Sequence, residues 1–224
     1  MSFYPRRVTI PIYSLFTAIA ILLTALRFLV RLTHTRHRTP HPHSPLGLDD
    51  LFIALGLLIV CTCTSIQFYN ILHGGSGEAI SLSMRQAQIL VEHKIDFTMI
   101  VIEKPAFGFI KLSLLFFYRR LFGHWPSFRR WNNVLVWVVV AWTTSFFLAD
   151  LLLCGGHPEL QWGLDQGAAR RGCGDKGMLL IMFAATSVVT DLLVLALPLP
   201  YIRRLKLRRS KKVAASVVFL LGGM

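Results

Sequence analysis

The fold is decided by residues 132–153, which read NNVLVWVVVAWTTSFFLADLLL. Asp150 is the one charged residue in this segment. As a helix with a rise of about 1.5 Å per residue, the segment would be about 33 Å long, which is enough to cross a hydrocarbon core about 30 Å thick. The segment therefore predicts a transmembrane helix.

Four further apolar runs of similar length lie on either side of this segment. They cover residues 8–30, 51–69, 97–118 and 177–199. A last apolar stretch, 213–224, would be only about 18 Å long as a helix, which is too short to span a bilayer. We therefore predict an all-α fold, a polytopic helical membrane bundle, in one domain over residues 8–224 that follows a tail of residues 1–7. This domain has five complete transmembrane helices and a partial sixth, and we expect the sixth to be interrupted by truncation of the chain.

The segments that connect the apolar runs are charged unequally. Connectors 31–48, 119–131 and 200–212 carry 3, 4 and 7 Lys or Arg and no Asp or Glu, whereas connectors 70–96 and 154–176 carry both signs. Cytoplasmic loops hold such an excess of Lys and Arg because cationic segments are hard to translocate. We therefore predict that the three basic connectors lie inside and that the N-terminus lies outside.

Composition excludes two broad classes of protein. The chain is 54% hydrophobic and 16% charged, which is too apolar for a soluble domain of 224 residues. The net charge of +13 could suggest a nucleic-acid partner, but the cations cluster beside bilayer-length segments. We expect a lipid bilayer as the partner and no nucleic acid. The inner loops 119–131 and 200–212 are expected to contact anionic lipid or an intracellular signalling protein.

Two charged residues in different spans share one depth. At about 1.5 Å per residue, Lys111 lies about 10 Å and Asp191 about 12 Å above the predicted inner border. A lone charge near the bilayer centre costs at least about 2.5–3.5 kcal/mol, so each residue needs a partner or a water-filled cavity. We therefore predict an intramembrane ion pair between Lys111 and Asp191.

Glu103 lies deeper, near the midplane, beside Pro105, which is expected to kink its helix. Successive helical side chains point about 100° apart, so Lys104 is not expected simply to neutralise Glu103. Two interpretations of Glu103 stay open at this point. It is either a structural polar contact between helices or a contact for a ligand or ion.

Asp49 and Asp50 open the second span at its predicted inner end. Acidic residues there complement the positive end of the helix dipole and accept hydrogen bonds from free N–H groups. We predict an inner helix cap, and a role in gating or coupling is the alternative.

Cys154 and Cys173 are the cysteines that lie outside the apolar runs, and both fall in one predicted outer loop. An oxidising environment favours a disulfide, which would contribute about 3 kcal/mol by the loop-entropy estimate. Two free thiols are the alternative. Cys61 and Cys63 are interpreted as small apolar packing residues.

No metal site, cofactor or catalytic centre is predicted. Connector 31–48 contains four His, but nothing fixes their geometry and no Cys or carboxylate joins them inside the loop, which favours a solvated basic loop. The chain also lacks a His box, a paired-Asp metal motif and a nucleophile elbow.

Five features in chain order resemble the fungal rhodopsin-type domain, found in receptor-like integral membrane proteins of filamentous fungi. They are Leu48-Asp49-Asp50; residues 111–119, KLSLLFFYR; Cys154 with Pro158, Trp162 and Cys173; Asp191; and Leu197-Pro198-Leu199-Pro200 running through Lys211 and Lys212 to Phe219 and Gly222. The resemblance covers about residues 10–224. It implies a seven-helix rhodopsin-like fold with an outside N-terminus, of which this chain would lack most of helix six and all of helix seven.

The resemblance implies a protein without catalytic activity, similar to G-protein-coupled receptors, in the plasma membrane with an unknown outer ligand. A transporter or channel subunit is the first alternative, with Glu103, Lys111 and Asp191 lining a polar path. A membrane-embedded accessory enzyme of secondary metabolism is the second alternative.

Overall fold

A computed structural model describes residues 6–36, 47–72, 86–155, 157–163 and 172–204, and within them the chain forms a helical bundle. The helices are α1 (Arg6–Arg36), α2 (Leu48–Leu72), α3 (Gln86–Phe122), α4 (Pro126–Leu151), α5 (Lys176–Ala196) and the short α6 (Leu199–Arg204), with a 3₁₀ helix at Pro158–Gln161. The partial sixth span 213–224, most of the N-terminal tail, and most of connectors 31–48 and 200–212 lie outside the described residues.

Four helical segments are long and apolar enough to cross a membrane. They are Thr9–Val30, Leu48–Ile71, Pro126–Leu151 and Lys176–Tyr201, and they correspond to the first, second, fourth and fifth predicted spans. The third predicted span, 97–118, lies within α3, which is not among the four because Glu103, Lys104 and Lys111 interrupt its apolar sequence. The membrane crossing of α3 therefore stays a prediction.

The apolar surface of the bundle faces outward. Phe16, Leu58, Trp137 and Ile181 each expose between 64% and 73% of their surface. Soluble proteins rarely expose apolar patches of this extent, whereas a lipid bilayer accepts them. The exposed apolar surface agrees with the composition, and the protein is a multi-pass membrane protein.

α3 is the central helix of the described bundle. It packs along α2 on one side and along α4 on the other, and it also contacts α5, whereas α1 packs on α2. Glycine permits the close approach of α3 and α4, because a Cβ atom at Gly108 would overlap the side chain of Thr143. Such small residues let membrane helices approach closely. The helix continues without a break on both sides of Pro105.

A cluster of buried apolar residues joins α3, α4 and α5 toward the predicted inner side. Its members are Leu112, Leu115, Tyr118, Phe122, Phe128, Val139 and Val194. The rings of Phe122 and Phe128 lie 5.4 Å apart across the turn between α3 and α4. This cluster holds the inner halves of the three helices in a fixed relation.

A disulfide between Cys154 and Cys173 joins the end of α4 to the segment that leads into α5. Gly155 follows with a φ of 63°, a left-handed conformation that glycine adopts without steric cost. The N–H of Gly174 donates to the carbonyl of Leu153 at 2.9 Å, which places the second chain segment directly beside the first. The disulfide and this hydrogen bond therefore hold the C-terminal end of α4 beside the N-terminal end of α5.

Candidate functional site

Lys111 lies in the interior of the bundle, where its side chain reaches from α3 to α5. Its ammonium lies 3.2 Å from Oδ1 of Asp191, so the structure brings this predicted pair together. It also donates to Oγ1 of Thr190 at 2.6 Å and to the side-chain and carbonyl oxygens of Ser187 at 3.0 and 3.1 Å. Lys111 is 2% exposed, so these oxygens replace water around the cation.

Lys104 makes a second charged contact, in this case from α3 to α4. Its ammonium lies 3.5 Å from Oδ2 of Asp150 and 3.7 Å from Oε2 of Glu103. The flexible stem of Lys104 spans the 100° between consecutive side chains and reaches Glu103, but Lys104 does not simply neutralise Glu103, because it also pairs with Asp150. Lys104 is 1% exposed, and sequence reasoning missed its pairing with Asp150.

Aromatic rings complete the surroundings of both ammonium groups. The ammonium of Lys104 lies 4.2 Å from the centre of the Phe183 ring, and that of Lys111 lies 4.3 Å from the centre of the Trp142 ring. These two rings stack on each other at 5.0 Å, and Nε1 of Trp142 donates to Thr186 at 2.8 Å. A cation over a ring face is stabilised by the ring quadrupole, most strongly where water is excluded.

The spacing of the two lysines explains why both face inward. They are seven residues apart in α3, which is about two turns, so their side chains leave the helix on nearly the same face. We name this arrangement the lysine core: Lys104 and Lys111 of α3 with Asp150 of α4 and Asp191 of α5. It links three helices through charge rather than through apolar packing alone.

Glu103 has a different environment from the lysine core. Its side chain is 45% exposed, whereas those of Asp150 and Asp191 are 8% and 38% exposed. It lines a cavity of about 410 Å³ between α1, α2 and α3, on the side of α3 that faces away from α4. Both interpretations of Glu103 made from the sequence therefore stay possible, since it contacts Lys104 and also borders a cavity.

The predicted cap at Asp49 and Asp50 lies where α1, α2 and α3 meet. Oδ2 of Asp50 accepts from the N–H of Gly47 at 3.1 Å, the reciprocal half of a capping arrangement. Nη2 of Arg27 lies 3.0 Å from Oδ2 of Asp49, and its Nε lies 3.5 Å from Oδ1 of Asp50. Ser113 of α3 donates to the carbonyl oxygen of Asp49 at 2.8 Å.

Arg27, Asp49, Asp50 and Ser113 form what we name the inner cluster, after its predicted side of the membrane. It is more than a helix cap, because it joins three helices. Arg27 comes from α1 and also lies 5.2 Å from the centre of the Phe117 ring of α3. Sequence reasoning did not pair Arg27 with Asp49 and Asp50. Its equal depth with the two acids was the signal that could have revealed the contact.

The chemistry that this arrangement allows is electrostatic. Among the described residues, no group of three or more His, Cys, Asp or Glu is placed to hold a metal ion. The lysine core instead provides two fixed cations and acceptors on separate helices. A shift of α4 or α5 relative to α3 would change these contacts directly.

Comparison with known proteins gives one match. The family model for the fungal rhodopsin domain matches residues 26–224. The matched region begins within α1 and includes the lysine core, the inner cluster and the disulfide. No curated protein and no solved structure matches the chain.

Proposed function

The chain belongs to the fungal rhodopsin domain family, and on this premise we propose that it is a receptor-like protein without catalytic activity, with its N-terminus outside the plasma membrane. In this proposal α3 is a fifth crossing of the membrane, because it packs between α2 and α4, both of which are apolar enough to span it. An outer ligand would then change how these helices pack.

The observation that carries the proposal is the lysine core. Each lysine of α3 is paired with a carboxylate on a different helix, at 3.5 Å for Lys104 with Asp150 and at 3.2 Å for Lys111 with Asp191. Charged pairs between membrane helices have discrete arrangements, either made or broken, since an unpaired charge in the membrane is costly. Such contacts suit a protein that changes between two packings of its helices.

The short connector between α3 and α4 supports a partner on the inner side. On the helix ends that flank this connector, Arg120 of α3 and Arg129 and Arg130 of α4 are exposed, and Trp131 of α4 is 63% exposed. Basic residues next to an exposed aromatic residue suit the surface of an anionic membrane or an acidic face of a signalling protein. The proposal therefore includes both anionic lipid and a signalling protein as partners on the inner side.

The test measures coupling to a G protein without needing the outer ligand. The chain and a Gα subunit carry the two halves of a split luciferase in fungal cells, and the luminescence of wild type, Asp191→Asn and Glu159→Gln is compared at equal surface expression. A receptor-like protein should change its basal recruitment about fivefold or more when the lysine core is broken. Glu159→Gln is the matched control, since that side chain is 73% exposed in the outer loop.

Recruitment that never exceeds that of an unrelated membrane protein, in wild type or variant, would contradict the receptor-like function. Substrate flux in proteoliposomes would then favour a transporter or channel subunit.

Orientation is tested separately with an N-terminal epitope tag, which antibody should reach on intact cells without permeabilisation. An epitope reached only after permeabilisation would reverse the predicted orientation.

A further inference from the structure

The cavity between α1, α2 and α3 has the dimensions of a small-molecule site. Its volume of about 410 Å³ falls within the range of roughly 300–1,000 Å³ typical of such sites. Its wall includes Phe16 of α1, Val60 of α2, and Met99, Phe107 and Ile110 of α3. Phe16 is 68% exposed on the outer surface of α1, so the cavity can be reached from the lipid side.

Two hydroxyl groups of this cavity, those of Thr17 and Thr64, bond to each other. Oγ1 of Thr17 and Oγ1 of Thr64 share a hydrogen bond of 2.9 Å across α1 and α2, and Thr64 also bonds to the carbonyl of Val60. Glu103 is the charged residue among the described residues that line the cavity. A ligand would therefore find mostly apolar walls, the neutral polar side chains of Tyr13 and Gln67, and one carboxylate.

The charge on Glu103 is only partly balanced. Lys104, its partner at 3.7 Å, lies closer to Asp150, at 3.5 Å, and its ammonium is directed at Phe183 in the bundle interior. Within 4 Å, among the described residues, Lys104 is the cation at both carboxylates, and the carboxylate with the more exposed side chain, 45% against 8%, is the one in the cavity. A second cation at Glu103 would complete the balance.

We propose that this cavity binds an amphiphilic amine, with the protonated nitrogen at the Glu103 carboxylate and the hydrocarbon body against Phe16, Met99 and Phe107. The charge requirement discriminates against neutral and anionic amphiphiles of the same shape, because neither supplies the missing cation. The proposal deepens the proposed function, since it names a ligand class for a receptor-like protein, but amine binding and G-protein recruitment are measured independently.

The first test uses a photoreactive alkylamine that carries a diazirine, added to the purified chain in lipid nanodiscs. Labelled peptides are identified by mass spectrometry. Decylamine and its neutral counterpart decanol are added in separate samples as competitors of the photoreactive amine. We expect labelling in α1, α2 and α3 that decylamine suppresses at concentrations about tenfold or more below those of decanol. Equal competition by the two compounds would overturn the proposal, because it would mean that any hydrocarbon chain fills the cavity.

Two variants separate the role of Glu103 from a general effect of charge. Glu103→Gln should abolish the preference for decylamine over decanol, whereas Glu92→Gln should keep it. Glu92 lies about three turns nearer the predicted outer end of the same helix. Glu92→Gln therefore removes an equal charge from a position outside the cavity. A preference that survives in Glu103→Gln would overturn the proposal.

A second measurement needs no variant and holds even if Glu103→Gln fails to fold. Cys63 lines the cavity and is a free thiol, whereas Cys61 is a free thiol of the same helix outside the lining. Decylamine should slow the alkylation of Cys63 by N-ethylmaleimide about tenfold and leave that of Cys61 unchanged, as tandem mass spectrometry distinguishes the two. If decylamine does not protect Cys63, the amine site is overturned, even where G-protein recruitment is observed. Protection of Cys63 without recruitment would contradict only the receptor function.

Discussion

Replacing Asp191 by Asn should destabilise the protein more than replacing its partner Lys111 by Met. Asp191→Asn keeps the lysine, which is 2% exposed, and removes its only ionised partner within 4 Å among the described residues. Lys111→Met removes the buried cation itself and leaves a carboxylate whose side chain is 38% exposed. A buried charge without its partner is the costlier of the two situations.

The distance in the structure sets the magnitude. Two unit charges 3.2 Å apart attract by about 5 kcal/mol at an effective dielectric constant of about 20. Screening at the partly exposed carboxylate and the neutral oxygens of Ser187 and Thr190 that remain on the lysine reduce this loss. We expect a loss of about 2–3 kcal/mol for Asp191→Asn and about 1–2 kcal/mol for Lys111→Met.

The assay is equilibrium unfolding in mixed detergent micelles, with both single variants, the double variant Lys111→Met/Asp191→Asn, and Glu159→Gln as a control. The double variant should be about as stable as Lys111→Met, since no buried cation remains for the missing carboxylate to stabilise. Glu159→Gln should change the free energy of unfolding by less than about 0.5 kcal/mol, because it is exposed. Strictly additive single losses, or a smaller loss for Asp191→Asn than for Lys111→Met, would refute the reasoning.

Three further predictions concern the other contacts between helices. Gly108→Ala should lower the free energy of unfolding by about 1–3 kcal/mol, because the new methyl group overlaps Thr143. Adding Thr143→Ala should restore most of this loss, and no restoration would contradict the steric explanation. Reducing the Cys154–Cys173 disulfide should lower the free energy of unfolding by about 3 kcal/mol, which is measured as a lower melting temperature in reductant. If reductant lowers the melting temperature of a Cys154→Ser/Cys173→Ser variant equally, the shift has another cause. Arg27→Met should lower the folded fraction in size-exclusion chromatography far more than Arg27→Lys, since methionine removes the guanidinium that contacts both buried carboxylates and lysine keeps a cation there. Equal losses in the two variants would contradict this.

The helices and the Lys111–Asp191 contact were accessible from the sequence because both follow from distance along a helix axis. Apolar run length predicts a span, and the number of residues from the inner border predicts depth. Two opposite charges at one depth in a medium that penalises single charges have few alternatives to pairing. The disulfide followed in the same way from the position of Cys154 and Cys173 in one predicted outer loop.

The Lys104–Asp150 contact and the cavity at Glu103 depend on helix rotation and on the identity of neighbouring helices, which depth alone does not determine. Glu103 and Lys104 are adjacent in sequence, yet one borders a cavity and the other is 1% exposed. The seven-residue spacing of Lys104 and Lys111 was the available signal that both share one face.

The charges of α3 also have a consequence for how the protein is made. Both lysines emerge from the ribosome before Asp150 and Asp191, so in a nascent chain that ends at α3 Lys111 lacks Asp191, and of its two carboxylate partners Lys104 has only Glu103. At roughly 5–20 residues per second, that interval lasts several seconds. Each unpaired cation at the centre of an inserted helix costs about 2.5–3.5 kcal/mol. If α3 crosses the membrane, as we propose, we expect its insertion to be completed only after α4 and α5 are synthesised, so that the three helices enter the bilayer together rather than one by one.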